Sequence, residues 1–179
     1  MPSADEVNDV PDNFKKYIVD NAERIDGWSS VPCYIKDNKE YVEIAKLQEG
    51  GCTFGYDSLK EQRSVVKGMV RPHSIHIERF EIDVELSSKN IKEWLNQPHE
   101  NIMEKNEALL YIDKILQSAK YVGNGRDEHN ASVVMHLFET KLNGKKSWII
   151  VRHLPTGEYK IHSISDNESI LRYVEKRSF

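Results

Sequence analysis

Asn143-Gly144 stands between two runs in which apolar and polar residues alternate, Ser132 to Leu142 and Ser147 to His153. A type I′ turn needs positive φ at both central residues, which Asn and Gly accept and branched residues resist. The pair therefore predicts a two-residue hairpin and sets which residues of the two strands face each other. Pro155-Thr156-Gly157 is a second tight connection, leading into a third run from Glu158 to Ile164, and a short extended run at Lys120 to Val122 precedes the first. Three consecutive strands joined this way form a meander.

Upstream the period changes. From His73 to Leu86, Ile75, Ile77, Phe80, Ile82, Val84 and Leu86 alternate with charged residues, which reads as one strand with a bulge where the spacing slips between Ile77 and Phe80. Ser87-Ser88 resembles an N-cap pair opening a helix through Ile91, Trp94 and Leu95 that must stop near Pro98. Ala108, Leu109, Ile112, Ile115 and Leu116 predict a longer helix over 105–118 that, with its predecessor, covers one side of the sheet. Asp57 to Val66 reads as a helix capped by Asp57 or Ser58 and closed near Gly68, and Lys39 to Leu47 as a short helix. Phe14, Ile18, Ala22 and Ile25 put one apolar helical face on Pro11 to Ile25, while Asp166 to Val174 predicts a short closing helix with an Asp166 or Asn167 cap. The fold class is α+β, N-terminal helices followed by an antiparallel sheet in strand-helix-helix-meander order with helices packed on one face. The expected division is a helical extension over 1–70 and an α+β domain over 71–179.

Composition bounds the function. With 39% hydrophobic and 30% charged residues, and no apolar run near the roughly 18 residues that span a bilayer, no membrane association is expected. The acidic start, Met1 to Asp9, does not read as a secretory signal, so a cytoplasmic location is expected. Cys33 and Cys52 lack both a disulfide framework and zinc-site spacing. Residues 1–86 carry 11 Lys+Arg against 17 Asp+Glu, a net −6, and residues 87–179 carry 14 against 12, a net +2. A polyanion should prefer the second half, without the strong basic bias of a dedicated duplex binder.

Splitting each strand by alternation separates candidate core from candidate site. Val133, Met135, Leu137 and Glu139 read as the core side of the first hairpin strand, leaving His136 on the opposite face. The aliphatic Ile149 and Val151 set Arg152 on the other side of the next strand, and Lys160 and His162 alternate with Tyr159 and Ile161 in the last. His136, Arg152, Lys160 and His162 are thus expected on one surface. Cleavage of RNA by its own 2′-hydroxyl needs a base, an acid for the leaving 5′-oxygen and a cation beside the phosphorane. Histidine serves either proton-transfer role, each worth roughly 10²- to 10⁴-fold, and arginine offers parallel donors to phosphate oxygens. No metal or other cofactor is required. Gly123 to His129 reads as a polar loop in which Arg126 and His129 could touch phosphate, and Lys89 and Lys92 could reach over the sheet from the Ser87-capped helix. His73 and His76 have no third ligand to make a metal site, and the glycines lack the strand-turn-helix context of a nucleotide fingerprint.

Ser87 to Lys92, Ile115 to Gly123, His136 to Thr140, Asn143 to Lys146 and His162 to Ser165 together resemble the phage-associated barnase/EndoU/colicin/RelE-like nuclease domains over roughly residues 73 to 176. The stretches Asn21 to Ile25 and Ser30 to Asn38 are similar to the tail of phage Mu-type minor head proteins. The resemblance implies a barnase-like α+β domain whose active groups are a helix-borne lysine, strand-borne histidines or arginines and a late serine. The closest positions are Lys92, His136, Arg152, His162 and Ser165; Lys160, Arg126 and His129, read from the strand face and the loop, are the expected substrate-binding residues. Ser165 falls with Tyr159 and Ile161 by alternation, so a bulge is needed to bring it to the site. The expected function is a prophage-derived, metal-independent ribonuclease or toxin effector acting on RNA, and the resemblance adds a host bacterium's cytoplasm or a phage particle as the expected place. The alternative is a non-catalytic module that contacts phage head proteins or a host target, and a neutralising partner would suit a toxin.

Overall fold

The computed structural model describes residues 42–53 and 55–179; the helix expected over 11–25, Cys33 and the head-protein-like stretch lie outside the described residues. A helical stretch over 42–49 leads to α1 (Leu59–Met69), β1 (His73–Ile77), a 3₁₀ turn (Glu78–Phe80), β2 (Ile82–Leu86) and α2 (Ser88–Asn96). Then come α3 (Ile102–Glu107), a 3₁₀ turn (Ala108–Tyr111), α4 (Ile112–Ser118), β3 (Lys120–Arg126), β4 (Val134–Leu142), β5 (Lys145–His153), β6 (Tyr159–Ser165) and a 3₁₀ stretch (Glu168–Tyr173). The six strands make one sheet in the order β1-β2-β6-β5-β4-β3. The fold is α+β with helices leading into a meander, as the sequence predicts. The sheet is mixed rather than wholly antiparallel, because β2 joins β6 in parallel through Val84↔Tyr159 and Glu85↔Lys160.

Local chemistry accounts for most element ends. The Ser58 side chain accepts from the Glu61 N–H, and Ser87 forms a reciprocal capping box with Asn90. Asn143 and Gly144 take φ of 49° and 77°, closing the β4–β5 hairpin. The run His73 to Leu86 is not one bulged strand. Glu81 enters the left-handed region at φ 51° after the 3₁₀ turn and reverses the chain, so the slip in period marks a hairpin with Ile77 opposite Ile82. The segment over 105–118 is likewise two short helices joined by a 3₁₀ turn rather than one helix.

Two unequal cores sandwich the sheet. Ile75, Val84, Leu86, Phe138, Ile149, Val151, Ile161 and Ile164 bury one face against Trp94, Leu109, Ile112 and Leu116, with Ile44, Leu47 and Val66 from the preceding helices in the same core. At roughly 1.5–3 kcal/mol for each fully buried large apolar side chain, this layer carries most of the stability. On the other face Met135, Leu137 and Ile150 form a small core covered by Ile170, Leu171, Tyr173 and Val174 from the C-terminal segment. That segment then lies along β3: the Asn124 N–H donates to the Lys176 carbonyl at 2.7 Å, and the Asn124 carbonyl accepts from the Glu175 and Lys176 N–H groups at 2.8 and 3.0 Å. A Cβ on Gly125 would collide with the Tyr173 carbonyl, and one on Gly123 with the Lys176 carbonyl. The Gly123-Asn124-Gly125 stretch is therefore a strand that has no side chain at the two positions where a second backbone crosses it, not the start of a polar loop.

α2 is fastened from within. The buried Lys105 ammonium donates to the Trp94 and Leu95 carbonyls at 2.7 and 3.2 Å, and the Trp94 indole N–H returns a bond to the Lys105 carbonyl at 2.7 Å. Burial lowers the Lys105 pKa to about 7, and the two helix-end carbonyls supply the acceptors its charged form requires.

Candidate functional site

Arg152, Lys160 and His162 line one cavity of about 210 Å³, closed on its other side by Lys89, Asn90 and Glu93 at the start of α2. Arg152 and Lys160 stand opposite each other across β5 and β6 and so project from the same face. His162, two residues on from Lys160, lies beside them at an irregularity of the pairing. Val151 pairs with Ile161 but Ile150 with Ser163, so His162 is the extra residue of a β-bulge, and alternation along β6 restarts beyond it. The bulge also puts Ser165 opposite Trp148, on the face of Ile150 and Arg152.

The guanidinium of Arg152 is anchored. Its Nη2 donates to Asp127 Oδ2 at 2.7 Å, and its buried Nε has no partner. Asp127 is itself 6% exposed. Burial opposes its ionisation, but the His129 backbone N–H at 2.8 Å and the Arg152 guanidinium outweigh that and hold its carboxyl below the usual carboxylate range. Burial, reinforced by the Arg152 charge, lowers the His162 pKa, so its imidazole is neutral at pH 7 and free to accept a proton. Lys89 stands 3.9 Å from Glu93 and Lys160 3.9 Å from Glu158. Pairs this long and this exposed are weak, and either ammonium can turn to an anion in the cavity.

His136 is elsewhere. It pairs with Val151 in the β4–β5 register, whereas Arg152 pairs with Met135, so the two point to opposite faces of the sheet. The face carrying His136, Phe138 and Leu142 is the main core side, and Met135 and Leu137 belong to the small core behind it. The expectation of a single surface for His136 and Arg152 is corrected accordingly. His136 is 5% exposed, takes the Tyr121 hydroxyl on Nδ1 at 2.8 Å, and has a buried Nε2 without a partner; burial, then the neighbouring His153, lowers its pKa to about 4.

The other expected residues scatter. Lys92 is exposed and outside the cavity that Lys89, one helical turn earlier, lines. Ser165 lies four residues along the β5 register from Arg152, roughly 13 Å at ~3.3 Å per residue, and its hydroxyl accepts from the Asn167 N–H at 3.1 Å. Arg126 and His129 are exposed at the end of β3 and in the loop after it, and His129 contributes its backbone N–H to Asp127. Asp127 had no place in the sequence reading, although an arginine set near a small apolar core calls for a carboxylate partner. His73 and His76 face Asp113 at 2.7 Å and Asp83 at 2.8 Å, and the described residues contain no group of three or more His, Cys, Asp or Glu able to hold a metal ion.

The fold is thus an α+β sheet whose bulged last strand, together with a capped helix start, encloses arginine, lysine and a neutral histidine in one cavity. The model of the family described as large polyvalent protein-associated domain 3 matches residues 57–164, which contain all of these cavity residues, and the chain belongs to that phage-associated family. No curated protein and no solved structure matches the chain. Among the described residues no helix is long and apolar enough to cross a membrane.

Proposed function

We propose that this chain is a metal-independent endoribonuclease of toxin or effector type. One observation carries the reading: a neutral, half-buried histidine and an aspartate-anchored arginine share one cavity with two lysines. His162 takes the proton of a ribose 2′-hydroxyl as its oxygen bonds to the adjacent phosphorus. Arg152, kept in place by Asp127, donates to the equatorial oxygens of the phosphorane. The P–O5′ bond then breaks, and an ammonium, Lys160 or Lys89, returns a proton to the leaving oxygen. The products are a 2′,3′-cyclic phosphate and a 5′-hydroxyl, and the charges at phosphorus are met by side chains fixed before the reaction. The family's phage association and the resemblance to nuclease domains fit this reading.

The test is incubation of the purified full chain with end-labelled RNA in EDTA. The proposal expects fragments ending in 2′,3′-cyclic phosphate whose formation rises with pH through a value below 6.5, as His162 loses its proton. Intact RNA across a panel of single-stranded and structured substrates rejects it.

A cleft of about 520 Å³ beside the cavity favours a second reading. Glu81, Asp83, Glu85 and Glu158 line it with Lys160 as the one cation among them, and this excess of carboxylates repels a polyanion and suits a basic protein surface. In that reading the domain is a phage head or host-interaction module, and the RNA assay stays blank while the cleft binds a protein.

A further inference from the structure

A groove of about 460 Å³ opens where the end of α1, the 3₁₀ turn Ala108–Tyr111 and the start of β1 meet. Met69, Val70, Leu109 and Leu110 give it an apolar lining. Its polar groups already have partners: the Tyr111 hydroxyl donates to Glu43 Oε2 at 3.2 Å, and His73 meets Asp113 at 2.7 Å through Nε2 and the Arg71 carbonyl at 2.6 Å through Nδ1. The apolar part is what stands uncovered. Met69 is 60% exposed, Val65 one turn earlier on the same side of α1 is 40% exposed, and Val42, next to Glu43, is 36% exposed. Three of the four exposed large apolar side chains among the described residues therefore lie in or beside this one groove.

The chain itself supplies an occupant. Phe14, Ile18, Ala22 and Ile25 recur at helical spacing on one face, while Asp12, Lys16, Asp20 and Glu23 fall on the opposite one. The helical stretch over 42–49 already buries Ile44 and Leu47 in the main core, and Glu43 on it lines the groove, so the chain enters the described domain at the groove itself. Residues 26–41 leave a link of about 16 residues, at most roughly 50 Å when extended, between the apolar face and that point of entry. A segment tethered so close meets the groove at high effective concentration and avoids the association entropy that a second copy or a separate protein loses. The charges of the groove are mixed, Glu43 and Asp113 against Arg71 and His73, so apolar contact rather than net charge decides the fit.

We propose that this groove is the docking site of the chain's own segment 11–25, which lays the face of Phe14, Ile18 and Ile25 on Met69, Val65 and Leu110 as an amphipathic helix in a groove. The proposal does not rest on cleavage at the Arg152 cavity, with which the groove shares no residue.

The test is the rate at which a thiol at position 69 reacts with a maleimide in the full chain. Met69→Cys is introduced together with Cys33→Ser; Cys52 stays, because burial and then Glu107 push its thiol up to about 12 and leave it unreactive at pH 7. The thiol at 69 is expected to react about ten-fold or more slower than in the same chain carrying Phe14→Asp and Ile18→Asp, and to keep its rate on dilution. Lys16→Asp, on the far face of the segment, should leave the rate unchanged. Lys67→Cys, on the opposite side of α1 from Met69, should react equally in every background, with folding checked by circular dichroism. A second measurement needs no disruptive variant: dibromobimane should bridge Ile18→Cys to Met69→Cys within one chain and fail to bridge Asp20→Cys to Met69→Cys. Equal rates at position 69 with and without the two aspartates, or equal bridging from positions 18 and 20, overturns the proposal. Protection that weakens on dilution overturns it too and assigns the groove to a second copy.

Discussion

The two faces of the sheet treat histidine in opposite ways, although burial lowers the pKa of both His136 and His162. On the helix side His136 is enclosed by rings, Tyr121, His153, Tyr159 and Phe179, and its one hydrogen bond comes from a phenol. On the other side His162 shares a cavity with the cationic Arg152 and Lys160. A depressed pKa makes a histidine a base only where something can reach it. The His136 side is built for stacking and the His162 side for charge, and the difference follows from the register, which pairs His136 with the core residue Val151 while Arg152 and Lys160 face the other way.

The largest expected effect tests the inequality of the two cores. Phe138 is fully buried in the main core, and truncating it to alanine should cost roughly 3–5 kcal/mol by urea unfolding. Ile150 belongs to the three-residue core under the C-terminal segment, which can relax onto the gap, so Ile150→Ala should cost nearer ~2 kcal/mol. Equal losses would mean that the tail-covered face is as well packed as the helical one.

Cleavage separates the histidines next. His162→Ala should lower the rate of RNA cleavage by at least ~100-fold, as expected for loss of a general base. His136→Phe, which keeps a ring in the stack, should leave it within a few-fold. Measuring cyclic-phosphate product for both variants decides it, and a large loss in His136→Phe with unchanged folding would make the two faces parts of one site.

Much of this arrangement was legible in the sequence. Asn143-Gly144, the Ser87 cap and the alternation of Ser147 to His153 each act through near neighbours, and the hairpin, α2 and the orientation of Arg152 follow from them. The face of His136 did not follow, because both sides of β4 are apolar: Phe138 and Leu142 on one, Met135 and Leu137 on the other. Only the tail, distant in sequence, explains why the second set is covered. The bulge at His162 has no compositional mark, the parallel β2–β6 pairing joins residues some 75 positions apart, and Gly123-Asn124-Gly125 looks like a loop until Tyr173 and Lys176 lie across it.

A pH titration of stability sharpens the comparison without any substrate. The pKa of His136 is about 4 in the fold against an ordinary 6.5, so between these values the unfolded chain binds more protons than the native one. The stability held by neutral His136 is fully present above pH 6.5 and is lost as pH falls toward 4. Urea midpoints measured from pH 7 down to 4 should therefore decline, and His136→Phe should remove a larger share of that decline than His162→Ala, since the cavity side admits water.

The smallest effect bears on the helix. Lys89 and Lys92 are one turn apart, and the resemblance to nuclease domains favoured Lys92, yet only Lys89 lines the cavity. Its partner Glu93 is 3.9 Å away on the same helix, a separation at which an exposed pair contributes little, so the ammonium can leave it for a phosphate at small cost. Lys89→Ala should then lower cleavage by about three- to ten-fold, mainly through weaker RNA binding and more visibly at low salt, because screening weakens exposed charges first. Lys92→Ala should change it by less than about two-fold. A reversed order in kcat/KM would mean that RNA approaches over the outer side of α2, and that the cavity between this helix and the bulge is not where the phosphate sits.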